Sequence, residues 1–371
     1  MDKIKTVLFC GALAVFFLIF LFLPKEDYSD TERRYLSDAP IFSANALFKG
    51  DFTEYFEKYL ADHFPFRTFF VGAYHNSELL LGNNGESGVY KGKDGFLFTV
   101  PESDVSRLGS NLKAIDTFCQ TNKLSADMMI VPSAGAVLTP WLPKNHLTYK
   151  EQEQVTDAAA TLSEAVHIID LYPVFNNAPE KQTLYFHTDH HWTDKGAYLG
   201  YRTYAEEKGW EHLTENAYKK TTYHGFYGTS YAKSGLWQTK GDSLVTWESP
   251  NRVSVTISDD NGKEEISDSC FFPEAFQGQD PYNIYFNGNH SLIHIRTENA
   301  PAGKILLIKD SYANAFAPLL TEQYRDIFMI DLRYFRKEAP SELIKREDIE
   351  NILFLYSFSQ LATDQNFLWL K

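Results

Sequence analysis

Cysteine is scarce in this chain of 371 residues: only Cys10, Cys119 and Cys270. So few exclude a disulfide-built scaffold and any cysteine-rich zinc module. Positive charge is in deficit as well, with 35 Lys and Arg against 49 Asp and Glu and a formal net charge of −14. Nucleic acid is excluded as a partner on that ground, because phosphate backbones are gripped by a surplus of basic side chains. Internal repeats and low-complexity segments are missing. Apolar and aromatic side chains, by contrast, make up 44% and 15% of the residues, which supplies a core and rules out global disorder. At roughly 150 residues per domain, the length suits one large domain or two ordinary ones.

The first segment decides the compartment. Thr6 to Leu23 form an uncharged apolar run closed by Pro24. At about 1.5 Å per residue it spans roughly 27 Å, enough to cross a hydrocarbon core. Lys3 and Lys5 precede it, whereas KEDYSDTE behind it carries a single Lys, so basic residues favour a cytoplasmic N-terminus. A cleaved signal peptide would want a shorter run followed by small residues of the Ala-x-Ala kind, and neither is present. The expectation is a cytoplasmic tail at 1–5, an uncleaved single-pass anchor at 6–23, and an extracytoplasmic remainder at the cell membrane. Cys10 follows Leu8 and Phe9 within the run, with no lipoprotein-type approach, and reads as a membrane-facing thiol. Cys119 and Cys270 could pair outside the cell, though two cysteines do not require a bridge.

Residues 24–104 read as a stalk followed by a helical and hairpin region. Phe52, Phe56, Tyr59 and Leu60 fall at helical spacing, and a short hairpin is expected around Lys93–Gly95. From residue 105 onward, strand and helix alternate. DMMIVP (127–132), VHIIDL (166–171), KILLIKD (304–310), DIFMIDL (326–332) and NILFLYS (351–357) are apolar runs of strand length. KEQEQVTDAAATLSEAV (150–166) and DKGAYLGYRTYAEEKG (194–209) read as helices. This rhythm predicts an α/β fold with a mostly parallel sheet covered on both faces. Residues 215–300 have another texture, rich in Tyr, Thr, Gly and Asn, and read as a β-rich insertion with turns at DDNG and NGN.

The stretch HTDHHWTDKGAYLGY (187–201) concentrates chemistry. It lies at a strand-to-helix turn, the edge where open α/β sheets bind ligands. Asp189 and His191 are two apart, so an extended turn sends both side chains the same way, and the carboxylate can orient the imidazole as a triad acid does. The bland alternative is helix capping, for which Thr193 is well suited. A nucleophile is offered by KILLIKDSYANAFAPLL (304–320), where an apolar strand ends at Asp310 and Ser311 opens a short helix. The Ser311 backbone N–H would face a developing oxyanion there. Plain capping by Asp310 or Ser311 is again the alternative.

Together these two segments resemble the SGNH (GDSL-type) hydrolase superfamily. Asp189, His191, Thr193 and Gly196 reproduce its Asp–His block with one residue fewer between acid and base. Lys309-Asp310-Ser311 reproduces its G-D-S block with Lys in place of Gly. The order is that of a circular permutation, Asp–His before Ser, as in the alginate O-acetyltransferase branch. The literal DHHW string, with DHFPFR and DGFLF upstream, is similar to the bacterial DHHW proteins. The resemblance implies an SGNH-like domain over 105–371 with its insertion at 215–300. It implies Ser311 as nucleophile, His191 as general base and Asp189 as orienting acid. His190, Trp192, Tyr312, Asn314, Arg333 and Tyr334 become candidates for substrate contact. The family's oxyanion Gly and Asn blocks are not recognisable after Ser311. Arg333, Tyr334 or Gln360 could substitute, and GNH (288–290) is a polar candidate that reads more simply as a turn. Such triad chemistry calls for no metal or organic cofactor. The implied partners are a cell-surface glycan as acceptor and an acyl donor, delivered through a polytopic membrane-bound O-acyltransferase.

Two other classes compete with an O-acetyltransferase or esterase. The run H-x-D-H-H is dense in metal ligands, as in metal-dependent phosphoesterases, but no D-x-D motif stands on a strand in the early ectodomain. Six Trp and 22 Tyr would also suit a non-catalytic glycan binder that stacks on sugars.

Overall fold

The computed structural model describes residues 2–298 and 300–370. Its centre is an eight-stranded sheet. In spatial order the strands are Glu264–Ser267, Val253–Ser258, Leu292–Thr297, Tyr324–Ile330, Ala302–Lys309, Asn351–Ser357, Ala126–Val131 and Val166–Ile169. The last five pair in parallel, and the first three join antiparallel to one another and to Tyr324–Ile330. This is the expected α/β architecture with a central, mostly parallel sheet flanked by helices.

The apolar runs form central strands because both of their faces are covered. Side chains alternate between the two sides of a strand. Ile305 and Leu307 enter one core, shared with the helices Asp194–Glu207 and Ala313–Leu320. Leu306 and Ile308 enter the other, shared with Arg107–Asn122 and Pro340–Glu347. All four side chains are fully buried.

Two readings of local detail change. The helix expected over 150–166 is shorter, Glu151–Ala159, because Ser163 turns back to bond Asp116 before the strand at Val166. The NGN stretch is not a hairpin turn. Asn287 and Gly288 take positive φ, and the loop docks Asn289 against Lys309. The DDNG turn does join two paired strands, Val253–Ser258 and Glu264–Ser267. Within 215–300, Lys219–Phe226 and Asp242–Glu248 form a separate antiparallel pair, while three further strands extend the central sheet. Cys119 and Cys270 are free thiols in different cores.

At the N-terminus, Lys3–Phe22 is one helix long and apolar enough to cross a membrane. Three helices follow, Ala44–Lys49, Asp51–Asp62 and Arg67–Leu81, the first two separated by Gly50 at φ +88.

Candidate active site

The carboxyl ends of three neighbouring parallel strands open into a cavity of about 240 Å³. Ser133–Gly135 line it after Ala126–Val131, Asp310–Tyr312 after Ala302–Lys309, and Ser357, Ser359 and Gln360 at the end of Asn351–Ser357. Asp189, His190 and Thr229 close it from the side.

The DHHW stretch is held by its neighbours. Tyr185 and Trp192 pair across it as an isolated bridge, and Thr193 caps the following helix at Gly196. Gly196 lies so close to the Leu184 carbonyl that a Cβ would stand 2.3 Å from its oxygen. Within this frame Asp189 Oδ1 accepts from the His191 backbone N–H at 2.9 Å and from His191 Nδ1 at 2.5 Å. His191 Nε2 is 2.7 Å from Ser311 Oγ. An ionised Asp189 can only accept, so Nδ1 carries the proton and Nε2 is left to accept from the serine hydroxyl. The loops around residues 191 and 311 therefore meet, 120 positions apart in sequence.

The other oxygen of Asp189 accepts from the Thr229 N–H at 2.7 Å and from Thr229 Oγ1 at 3.1 Å. Burial pushes this carboxyl up, but the His190 and His191 rings and the hydrogen bonds outweigh it and hold Asp189 well below the usual carboxylate range. The His191 ring is fixed from both sides. Tyr282 stacks on it at 3.9 Å and 6°, and His190 lies 3.9 Å away on a tilt.

Beneath the serine, Asp310 ties two strands together. Its Oδ2 accepts from the N–H and hydroxyl of Ser357, both at 2.7 Å, and its Oδ1 accepts from the Tyr312 N–H at 2.9 Å. That N–H is consequently unavailable to a substrate oxygen. Lys309, where the superfamily pattern has Gly, is fully buried, and its Nζ donates to Asn289 Oδ1 and Asn314 Oδ1, each at 2.8 Å. Burial pushes its pKa down to about 8.

Of the residues singled out for substrate contact, His190 and Tyr312 line the cavity, and so does Gln360. Four others do not. Trp192 is fully buried and donates its indole N–H to the Tyr312 carbonyl. Asn314 is buried against Lys309. Arg333 is spent on a two-pronged pair with Asp331, and Tyr334 lies beside it on the surface. Sequence reasoning missed Thr229, Gly228, Tyr282 and Ser357. Only Gly228-Thr229, where the short helix Thr229–Ser234 begins, carried a readable cue, that of a helix N-terminus.

Asp189, His190 and His191 offer metal-ligand atoms within 4.8 Å of one another. Both oxygens of Asp189 and both ring nitrogens of His191 are, however, already engaged in the hydrogen bonds above.

Residues 89–235 match the family model described as the SGNH hydrolase-like domain of the acetyltransferase AlgX. The matched stretch is under half of the chain, and it takes in the DHHW segment but ends before Ser311. A DHHW family protein from Eubacterium siraeum superposes with a TM-score of 0.66 at 22% identity, over 76% of this chain and 94% of its own. PatB1 from Bacillus cereus, solved with a sulfonyl adduct, gives 0.64 at 24% identity, over 76% of this chain and 98% of its own. No curated protein matches the chain in sequence. The Asp–His pair precedes the serine along the chain, the order read in the sequence.

Proposed function

We propose that the chain is a membrane-anchored, extracytoplasmic O-acyltransferase or esterase acting on a cell-surface glycan, with Ser311, His191 and Asp189 as its triad. The observation that carries the reading is the unbroken line of hydrogen bonds from Ser311 Oγ through the His191 ring to Asp189. The match of 89–235 to an acetyltransferase family model supports acyl transfer as the reaction class.

Ser311 Oγ attacks the acyl carbonyl as its proton passes to His191 Nε2. Asp189 stabilises the imidazolium that forms. The Ser311 backbone N–H, at the entrance to the Ala313–Leu320 helix, is our choice for one oxyanion donor, since the neighbouring Tyr312 N–H is spent on Asp310. His191 then returns the proton to the departing group, leaving an ester on Ser311. A sugar hydroxyl, deprotonated by His191, takes the acyl group in the transferase, and water takes it in the esterase. A cavity of about 240 Å³ has room for an acyl group together with part of an acceptor. Its polar rim of Thr229, Ser359 and Gln360 suits a hydroxyl-rich acceptor.

The test uses the full chain in detergent with an acetyl ester and a sulfonyl fluoride. The unmodified chain is expected to turn over the ester and to gain one sulfonyl group on Ser311 by mass spectrometry. Ser311→Ala should lose both. An unreactive Ser311 in a chain that still hydrolyses the ester would overturn the assignment.

A further inference from the structure

The segment between the anchor and the SGNH hydrolase-like domain leaves apolar side chains with no protein over them among the described residues. Ile41, Phe48, Phe66, Phe69, Leu80 and Leu81 are all exposed, Phe48 and Leu80 to 89%. Isolated exposed apolar side chains need no explanation, but such a density within one short segment does. This face cannot simply turn inward, because the adjoining stripe of Arg67–Leu81 is already docked. Trp237 Nε1 donates to the Thr68 carbonyl at 2.7 Å, and Gly72 lies against the Trp237 ring. The stalk adds a lock at the other end, where Arg67 pairs with Glu32 at 2.8 Å and Arg34 Nη1 donates to Asp62 at 3.1 Å.

The same face is continuous with the membrane-crossing helix. Phe16 stacks on Phe64 at 5.5 Å and meets Phe70 at 6.0 Å, while Phe20 meets Tyr59 at 5.9 Å. Phe16 lies below the end of its helix at Phe22 by about 9 Å at the helical rise. Interfacial helices bury their apolar face about 5–10 Å into the boundary of headgroups and acyl chains. The depth at which these rings touch the anchor is thus the depth at which such a face belongs.

We propose that Ala44–Lys49, Asp51–Asp62 and Arg67–Leu81 form a platform lying in the outer leaflet, its aromatic face in contact with acyl chains. The inference rests on the reading of the N-terminal helix as a membrane anchor. Acidic side chains outnumber basic ones across 41–81, so the platform is held by apolar burial and does not require anionic lipid. Because Trp237 and the Thr229–Ser234 helix that holds Asp189 belong to one packed region, the platform also fixes the height of the cavity above the bilayer.

The test is depth-dependent quenching in vesicles of phosphatidylcholine alone. Cys119 and Cys270 are buried, so replacing Cys10 by Ser leaves the full chain open to a single fluorescent label. Labels are placed through Phe69→Cys on the platform, Leu13→Cys in mid-anchor and Lys58→Cys on the polar side. Lipid brominated near the headgroup end is expected to quench the Phe69→Cys label about threefold more than the Lys58→Cys label. Deep bromines should quench the Leu13→Cys label. Quenching in mid-anchor without quenching at Phe69→Cys would overturn the platform and leave the anchor standing. A Phe69→Cys label shielded from lipid bromine and aqueous iodide alike would mean that protein covers the face, which also overturns it. No quenching at either position would remove the anchor and the platform together.

Discussion

Gly228 and Asp189 approach so closely that a Cβ on the glycine would stand 2.2 Å from the carboxylate oxygen Oδ2. Neither partner can yield easily. Gly228 begins the turn that delivers the Thr229 N–H, and Asp189 is gripped at both oxygens. Gly228→Ala is therefore expected to displace the carboxylate and, through it, the imidazole. A displacement near 1 Å at such a site costs about 100-fold in kcat. Ester-hydrolysis kinetics with a parallel unfolding curve checks this. Overpacking costs about 1–3 kcal/mol of stability, which leaves the chain folded, so the activity should fall while the unfolding curve still shows a folded chain.

Replacing the carboxylate itself should be more damaging. In Asp189→Asn the amide no longer enforces a proton on His191 Nδ1, and the ring nitrogen facing Ser311 loses its role as acceptor. A drop of about 10⁴-fold in kcat is expected. Thr229→Ala is the milder control. It removes the Oγ1 bond to Asp189 at 3.1 Å and the contact of Oγ1 with His190 Nδ1 at 2.5 Å, but keeps the backbone N–H at 2.7 Å. With about 1.4 kcal/mol at stake, a loss near tenfold follows. Equal losses in the two variants would mean that the hydroxyl, through Asp189 and His190 together, matters as much as the carboxylate itself.

The parallel strands were legible because burial on both faces makes nearly every residue apolar, as in Leu353 to Tyr356. The Asp189–His191 and Ser311 turns were legible because their chemistry is local and each stands at a strand or helix end. The partners of those turns were not. Thr229 and Gly228 reach Asp189 from 40 residues away, a distance at which nothing in the local pattern announces contact. Arg333 and Tyr334 looked suitable because they follow a strand end. A buried Asp331 two residues before Arg333 decides otherwise, and its burial cannot be read from D-L-R alone. The same holds for Asn314, which serves a lysine where the superfamily pattern has glycine.

Leu307 tests the two-core arrangement. It is fully buried in the middle of the central strand, between Met329 and Leu353 in register. Leu307→Ala should destabilise the domain by about 2–5 kcal/mol, measured by denaturant unfolding of the detergent-solubilised chain. A loss below about 1 kcal/mol would mean that the strand is not central.

Lys309 supplies a pH signature of its own. The groups around it are Asn289, Asn314 and Asp331, with Arg333 and Asp310 beyond. Burial lowers its pKa from 10.5 to about 8 in the folded chain, outweighing the attraction of Asp331 at 3.8 Å. Between those two values the unfolded chain holds a proton that the folded chain has released. Stability contributed by this group therefore rises with pH across that window. The separation of the two pKa values corresponds to on the order of 3 kcal/mol. Lys309→Met removes the titration and leaves other groups in place. From pH 7 to above pH 10, the stability difference between unmodified chain and variant should shift toward the unmodified chain by that amount. A difference that stays flat with pH would mean that Lys309 titrates alike in the folded and unfolded chain, the attraction of Asp331 offsetting its burial.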